Sequence, residues 1–327
     1  MNDILKVENL KKYFPVTRGV LKRKVGDVKA VDDISFTLKA KETLGVVGES
    51  GCGKSTLGRT VLRLYDATSG KITFENQSVN DLSRSELRAM RKNMQMIFQD
   101  PYSSLPPRMT IFQAMREALD THGIGTSFEN KREITKELLH RVGINKNSLE
   151  KYPHEFSGGQ RQRIGIARAL SLNPKLIVCD EAVSALDVSI QSQVLNLLVE
   201  LQEERDLSYI FISHDLSVVR HVSDRIMVMY LGKVVELTEA DAIYQQPLHP
   251  YTRSLIASIP EPDPAKKFDA NTLLKGELPS PMNPPTGCRF HTRCPHAKDI
   301  CKTKEPELKN APGETNHLVA CHFTKEV

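Results

Sequence analysis

No stretch of this sequence approaches the ~18 consecutive apolar residues of a membrane-crossing helix. Its opening, MNDILKVENL, carries charges where a secretory segment needs an unbroken apolar run. The chain is therefore expected in the cytosol or peripheral to a membrane. No internal repeat, low-complexity tract or basic block stands out. Lys+Arg 45 against Asp+Glu 40 leaves a net charge of only +5, spread along the chain. Such a balance gives nucleic-acid binding little support. Cysteine is sparse, six in 327 residues, and in a reducing compartment six cysteines are not read as three disulfides.

What is present is the composition of a soluble globular protein, 39% hydrophobic and 26% charged, enough to bury a sizeable core. The length suggests a main domain of about 200–250 residues plus something smaller. The Pro-rich passage IPEPDPAKKF at 259–268 reads as the linker, dividing the chain into 1–258 and 259–327.

The segment TLGVVGESGCGKSTLGRTVLRL begins with an apolar strand-type run, turns at three glycines and continues with Leu57, Val61, Leu62 and Leu64 at roughly helical spacing. Gly48, Gly53, Lys54 and Ser55 fit G-x-x-x-x-G-K-[ST], and strand before and helix after is the context that confirms such a match. Glycines keep side chains off the backbone N–H groups that wrap the phosphates, and the helix N-terminus adds its positive end. Ser50 and Gly51 complete the loop. Lys54 is assigned to the β- and γ-phosphates, Ser55 to Mg²⁺ and Thr56 to the α-phosphate.

A second strand-type run, KLIVCDEAVSALD, ends in Asp180 and Glu181. Alone, the pair would be an exposed strand end. Beside a phosphate loop, Asp180 is placed to hold Mg²⁺ through water and Glu181 to polarise an attacking water. A third run, SYIFISHDL, puts His214 at a strand's C-terminal end, where it would contact the γ-phosphate. Ile190, Val194, Leu197, Leu198 and Leu201 form a helical stripe read as core packing. About 100 residues separate the phosphate loop from EFSGGQRQRIGIARAL. Helical patterns such as NKREITKELLHRVGI imply a helical insertion, approximately 100–170. Ser157, Gly158, Gly159 and Gln160 form a second phosphate-type helix start, though one chain needs only one phosphate loop. A head-to-tail dimer resolves this, each ATP lying between the loop of one subunit and the SGGQ of the other.

With these motifs together, the sequence resembles the ATP-binding subunits of ABC transporters, specifically the oligopeptide/dipeptide permease family, over nearly its whole length. GESGCGKST is similar to the family's Walker A, FSGGQ to its signature, LIVCDE to Walker B and SALD to the D-loop. The resemblance implies an α/β P-loop NTPase: a RecA-like core with an antiparallel β subdomain, a helical subdomain and a small Cys-rich C-terminal extension. It implies that Gln99 in MIFQDP senses Mg²⁺ and the γ-phosphate, and that Tyr13 in LKKYFP stacks on adenine, with Phe14 beside it as the alternative. It implies an ATP-hydrolysing importer at the cytoplasmic membrane face. Its partners would be a second ATPase subunit in a heterodimer, two transmembrane permease subunits and an extracytoplasmic peptide-binding protein. Related importers carry nickel or sugars, so the solute stays open. A non-transport ABC ATPase would show long heptad insertions or two cassettes in one chain, and neither is present. Two departures are visible: Ala182 follows Glu181 where the family has proline, and Pro106 stands in LPPRMT near Gln99.

Cys288, Cys294, Cys301 and Cys321 gather near the C-terminus as C-x5-C-x6-C-x19-C, while Cys52 and Cys179 stand apart and read as inert fillers. Four thiolates suit Zn²⁺ or a four-iron cluster, and the close C-x2-C pairs of common zinc ribbons and ferredoxins are absent. Spacing alone does not choose. The family resemblance implies a [4Fe-4S] cluster, with zinc or free thiols as alternatives and His291, His296, His317 or His322 able to replace one cysteine. The Pro-rich tail has too little apolar content for its own core, a lack that a metal centre would offset.

Overall fold

The computed structural model describes residues 3–20, 22–100, 105–259 and 276–324. They fall into two compact units, one comprising 39–42 and 81–212, the other 3–38, 43–80 and the chain from Ser213 onward. The expected linker lies, from residue 260, outside the described residues. Strands β1 (Asp3–Arg18), β2 (Arg23–Lys39), β3 (Thr43–Val47), β4 (Ser69–Phe74) and β5 (Gln77–Ser78) come first. Then follow β6 (Met94–Ile97), β7 (Leu176–Asp180), β8 (Ser208–Ile212), β9 (Arg225–Tyr230), β10 (Lys233–Glu239), β11 (Lys309–Asn310) and β12 (Leu318–Val319).

In the 81–212 unit β6, β7 and β8 run parallel, with Met96 opposite Val178 and Val178 opposite Ile210. All five residues of β7 and of β8 are buried, which is why they read as continuous apolar runs rather than alternating ones. The expected helical insertion is present as helices Ile111–Thr121, Phe128–Arg141 and Gly158–Leu170. Thr110 and Ser157 each begin their helix with a capping box, satisfying N–H groups that the first turn leaves without helical partners. Helix Val188–Arg205 buries Val194, Leu197, Leu198 and Leu201 of the predicted stripe, leaves Ile190 half-buried, and ends where Asp206 turns left-handed.

The other unit holds a four-stranded sheet in the order β2-β1-β4-β5, with β1 and β4 antiparallel (Leu5 opposite Phe74, Val7 opposite Ile72). Its second group of strands runs β11-β12-β10-β9-β3, where β3 and β9 are parallel and the others antiparallel. The helix after β3 ends at Val61, one turn short of the predicted stripe, and Leu64 is 42% exposed.

The tail from 276 onward finds its core in the rest of this unit. Phe290 is 1% exposed and packs its ring against Tyr230 and Tyr251 at centroid distances of 5.3 and 5.4 Å. β12 extends β10, with Leu318 opposite Leu237. Beneath that edge the wholly buried Glu236 accepts hydrogen bonds from the backbone N–H groups of Leu248 (2.7 Å) and His249 (2.9 Å) and pairs with His317 at 2.6 Å. Burial alone would raise the Glu236 carboxyl, but these bonds hold it below its ordinary value. Burial pushes His249 down to about 4. The low apolar content of the tail is thus offset by an aromatic cluster and a buried carboxylate.

Phe290→Ala should lower the unfolding free energy of this unit by about 3–5 kcal/mol, read by denaturant titration. A tail that folds apart from the phosphate loop would leave it unchanged. Between pH 6.5 and about 4 the unfolded chain binds a proton at His249 that the folded chain refuses, so stability should fall as pH is lowered through that window. Glu236 acts in the same direction, its contribution being present above about 4.5 and lost below. His249→Asn, which keeps a cap acceptor, should reduce the stability lost between pH 6.5 and 4 by on the order of 3 kcal/mol.

Candidate active site

The phosphate loop joins β3 to helix Lys54–Val61. That helix has no acidic residue in its first turn and no side-chain cap, so its opening N–H groups are left for a ligand. Gly53 begins it at φ 108°, and a Cβ there would lie 2.0 Å from the carbonyl oxygen of Ala30. Only glycine fits. Lys54, 4% exposed, folds back so that its Nζ donates to the carbonyls of Gly48 (2.7 Å) and Glu49 (3.1 Å). Ser55 and Thr56 lie half-buried in the first turn, while Ser50 and Gly51 are exposed at the loop's tip.

Tyr13 and Phe14 separate clearly. Phe14 sets its edge against Tyr65 at 5.4 Å and takes Lys12 over its face at 4.9 Å. Tyr13 instead donates its hydroxyl to Asp32, whose other carboxylate oxygen accepts from Arg289. Burial and the Asp32 charge push the Tyr13 hydroxyl far up; burial opposes ionisation of Asp32, but Tyr13 and Arg289 hold its carboxyl below the usual range. Tyr13 is thereby anchored by its polar tip.

In the 81–212 unit, Asp180 ends β7 at 1% exposure. Glu181 follows in the left-handed region, at φ 50°, a conformation that costs a non-glycine residue about 1–3 kcal/mol. It is held by its N–H to the carbonyl of Ile212 (3.0 Å) and by Ser184 Oγ to its own carbonyl (3.0 Å). The turn aims the carboxylate at Gln99, whose Nε2 donates to Glu181 Oε2 at 2.8 Å. Ala182 behind it is buried at 2% exposure. Gln99 and Glu181, singled out separately in the sequence, are therefore brought together.

The SGGQ residues form a helix start with a structural role of their own. Ser157 Oγ accepts from the Gln160 N–H (3.3 Å), and Gln160 Oε1 accepts from the Ser157 N–H (3.0 Å). A Cβ on Gly159 would lie 2.4 Å from Ile190 Cγ2, so this glycine also sets the approach of helix Val188–Arg205; a Cβ on Gly158 would meet Leu186 Cδ2 at 4.0 Å, an ordinary contact. His214 is exposed, fixed between Ser213, whose N–H donates to the carbonyl of Val46 (3.2 Å), and Asp215, which caps the next helix.

Cys288, Cys294, Cys301 and Cys321 line one small cavity, with His291, His296 and His322 at its wall. His317 is committed to Glu236 instead. Burial pushes the Cys288 thiol up to about 12 and raises Cys294 and Cys321 as well. Among the described residues, however, no group of three or more His, Cys, Asp or Glu is arranged to hold a metal ion. The shared cavity shows that the four thiols converge. Cys52 and Cys179 are buried with their thiols raised by burial, consistent with inert packing.

Sequence reasoning missed Asp32, Arg289 and Arg293. Arg293, whose side chain is 5% exposed, makes a two-pronged ion pair with Glu49 of the phosphate loop (2.6 and 3.0 Å). The only signal was an acid inside a phosphate loop with no partner nearby in the sequence.

Residues 31–184 match the family model described as ABC transporter, and residues 235–301 that described as oligopeptide/dipeptide transporter, C-terminal region. Over 322 residues the chain is 59% identical to the oligopeptide transport ATP-binding protein AppF of Bacillus subtilis (strain 168), spanning 98% of this chain and 97% of that protein. It is 51% identical to the oligopeptide transport ATP-binding protein OppF of Escherichia coli (strain K12), over 97% of this chain and 95% of that one. Among solved structures, the ATP-binding cassette MJ0796, dimeric and bound to ADP and Pi after hydrolysis, matches with a TM-score of 0.64 at 28% identity, over 72% of this chain and 98% of that one. The chain cbiO1 from Clostridium perfringens, part of the cbiONQ transporter complex, gives 0.63 at 28% identity over 75% and 92%. Among the described residues no helix is long and apolar enough to cross a membrane. The chain belongs to the ATP-binding proteins of the ABC transporter family.

Proposed function

We propose that this chain is the ATP-hydrolysing subunit of an importer for oligopeptides or dipeptides, bound peripherally at the cytoplasmic face of the membrane. It would act with two membrane permease subunits, a second ATPase subunit in a heterodimer and an extracytoplasmic binding protein. The observation that carries the ATPase reading is the Gln99–Glu181 hydrogen bond at 2.8 Å, made by a carboxylate held in a strained turn directly after the buried Asp180. Peptide as the solute is supported by the likeness to AppF and OppF across the tail as well as the cassette. The division at residue 258 remains our functional boundary between cassette and extension.

In this reading backbone N–H groups of the loop and first helical turn other than those of Glu49 and Cys52, which are already bonded, wrap the phosphates, and Lys54 leaves its loop carbonyls for the β- and γ-phosphates. Tyr13 stacks on adenine. The Ser55 hydroxyl, the Asp180 carboxylate and the Gln99 amide oxygen are hard oxygen donors and fit Mg²⁺, which when bound neutralises charge on the phosphates. Glu181 takes the proton of the attacking water while His214 holds the γ-phosphate. Ser157, Gly158, Gly159 and Gln160 contact the nucleotide held by the partner ATPase, so hydrolysis requires association.

We also propose the four tail cysteines as the ligand set of a [4Fe-4S] cluster, with Zn²⁺ as the alternative. Their convergence on one cavity supports this, and soft sulfur donors suit either. Burial holds Cys288, Cys294 and Cys321 toward the thiol form, so a cation would be needed to release their protons.

Glu181→Gln should lower ATP turnover of the assembled transporter by about 10²–10⁴-fold while ATP binding persists; sustained hydrolysis would remove Glu181 as the base. For the tail, protein purified without oxygen should carry about four iron and four sulfide per chain, lost in Cys294→Ser. Zinc in stoichiometric amount would establish the alternative, and neither metal would leave free thiols.

A further inference from the structure

Glu49 is the one acid in GESGCGKST, and it sits among backbone groups that must attract phosphate. An uncompensated carboxylate there would repel a nucleotide. Within its own loop the nearest cation, Lys54, is bonded to the carbonyls of Gly48 and Glu49 and is required by the ligand. The charge partner comes from 244 residues away: Arg293 Nη1 and Nη2 grip Glu49 Oε2 and Oε1 at 2.6 and 3.0 Å. The fork matches both carboxylate oxygens, which fixes orientation as well as charge. The Glu49 N–H is held separately by the Tyr251 hydroxyl at 2.8 Å. Arg293 itself is immobilised, its guanidinium lying over the Tyr230 ring at 5.9 Å, in the same aromatic cluster that buries Phe290.

A second link has the same form. Arg289 donates to Asp32 and to the carbonyl of Leu231, and Asp32 receives the Tyr13 hydroxyl. Each arginine is one residue from a cysteine of the cluster, Arg289 after Cys288 and Arg293 before Cys294. One turn of the tail therefore reaches both the phosphate loop and Tyr13.

We propose that Arg293 is a positioning residue for the phosphate loop: it neutralises and orients Glu49, so that the cysteine-bearing tail sets the affinity of the loop for ATP. The proposal rests on the reading of residues 48–55 as phosphate-binding and does not depend on what the cysteines hold. It makes the tail a working part of the nucleotide site rather than an appendage.

The test is titration of the full-length chain with a fluorescent ATP analogue and Mg²⁺. Arg293→Gln should weaken binding about 10-fold, and Arg293→Lys, which keeps the charge but loses the fork, by less. Adding Glu49→Gln to Arg293→Gln should restore most of the affinity, because the stranded charge is gone; a merely structural role would give a double variant at least as weak as the single one. Binding within about 2-fold of wild type in a folded Arg293→Gln, or no recovery in the double variant, would overturn the proposal. Should Arg293→Gln fail to fold, the lysine variant decides: unchanged affinity with an unchanged melting curve overturns it. Lys54→Ala is the separate control. If it leaves binding intact, the phosphate-loop reading fails and this inference with it; if it abolishes binding while Arg293→Gln has no effect, only the inference fails.

Discussion

A loop proposed to bind phosphates through its backbone must keep most of its N–H groups bare, so it gives up many of the hydrogen bonds by which other loops hold their shape. Its conformation must be imposed from outside. Here the Ala30 carbonyl closes against Gly53, the Tyr251 hydroxyl takes the Glu49 N–H, and the Gly232 N–H donates to the Cys52 carbonyl at 2.8 Å. Arg293 then fixes the Glu49 side chain. Much of the unit that begins with β1 and ends with the tail can be understood as the frame for this one turn.

The tail belongs to that frame. It lacks a core of its own, and it gains one by inserting Phe290 beside Tyr230 and Tyr251, the same tyrosine that holds Glu49. Glu236 fastens the chain at Leu248, His249 and His317 from beneath. Burying a carboxylate this fully is tolerable only because several donors meet it, and removing any one would leave charge without compensation. Packing, electrostatics and loop geometry therefore converge on a few residues between β9 and the tail.

The motifs on which the family and the proposed site rest were legible because each is short and made of adjacent residues. Gly53, Lys54 and Ser55 lie within one turn, and Asp180 ends a buried strand with Glu181 directly after it. Tyr13 was assigned to adenine with Phe14 as the alternative, since either ring can stack; what the sequence did not reveal is that Phe14 packs on Tyr65 while the Tyr13 hydroxyl donates to Asp32. The capping box of Ser157 and Gln160 was equally hidden behind the phosphate-binding reading of SGGQ. Arg289 and Arg293 were invisible because their partners, Asp32 and Glu49, lie 257 and 244 residues away and no local pattern marks such a pair. The tail's anchorage was not legible for the same reason: it lacks a core of its own, and the rings that cover Phe290 are in β9 and the helix Pro250–Ala257.

The claim that the tail holds the phosphate loop is tested most directly by amide hydrogen exchange across residues 44–57, without nucleotide, in wild type and Arg293→Gln. If the loop is shaped from outside, exchange there should quicken in the variant while the β7 peptide, in the other unit, keeps its protection. Unchanged exchange in 44–57 would mean that the loop holds itself, and would contradict the account.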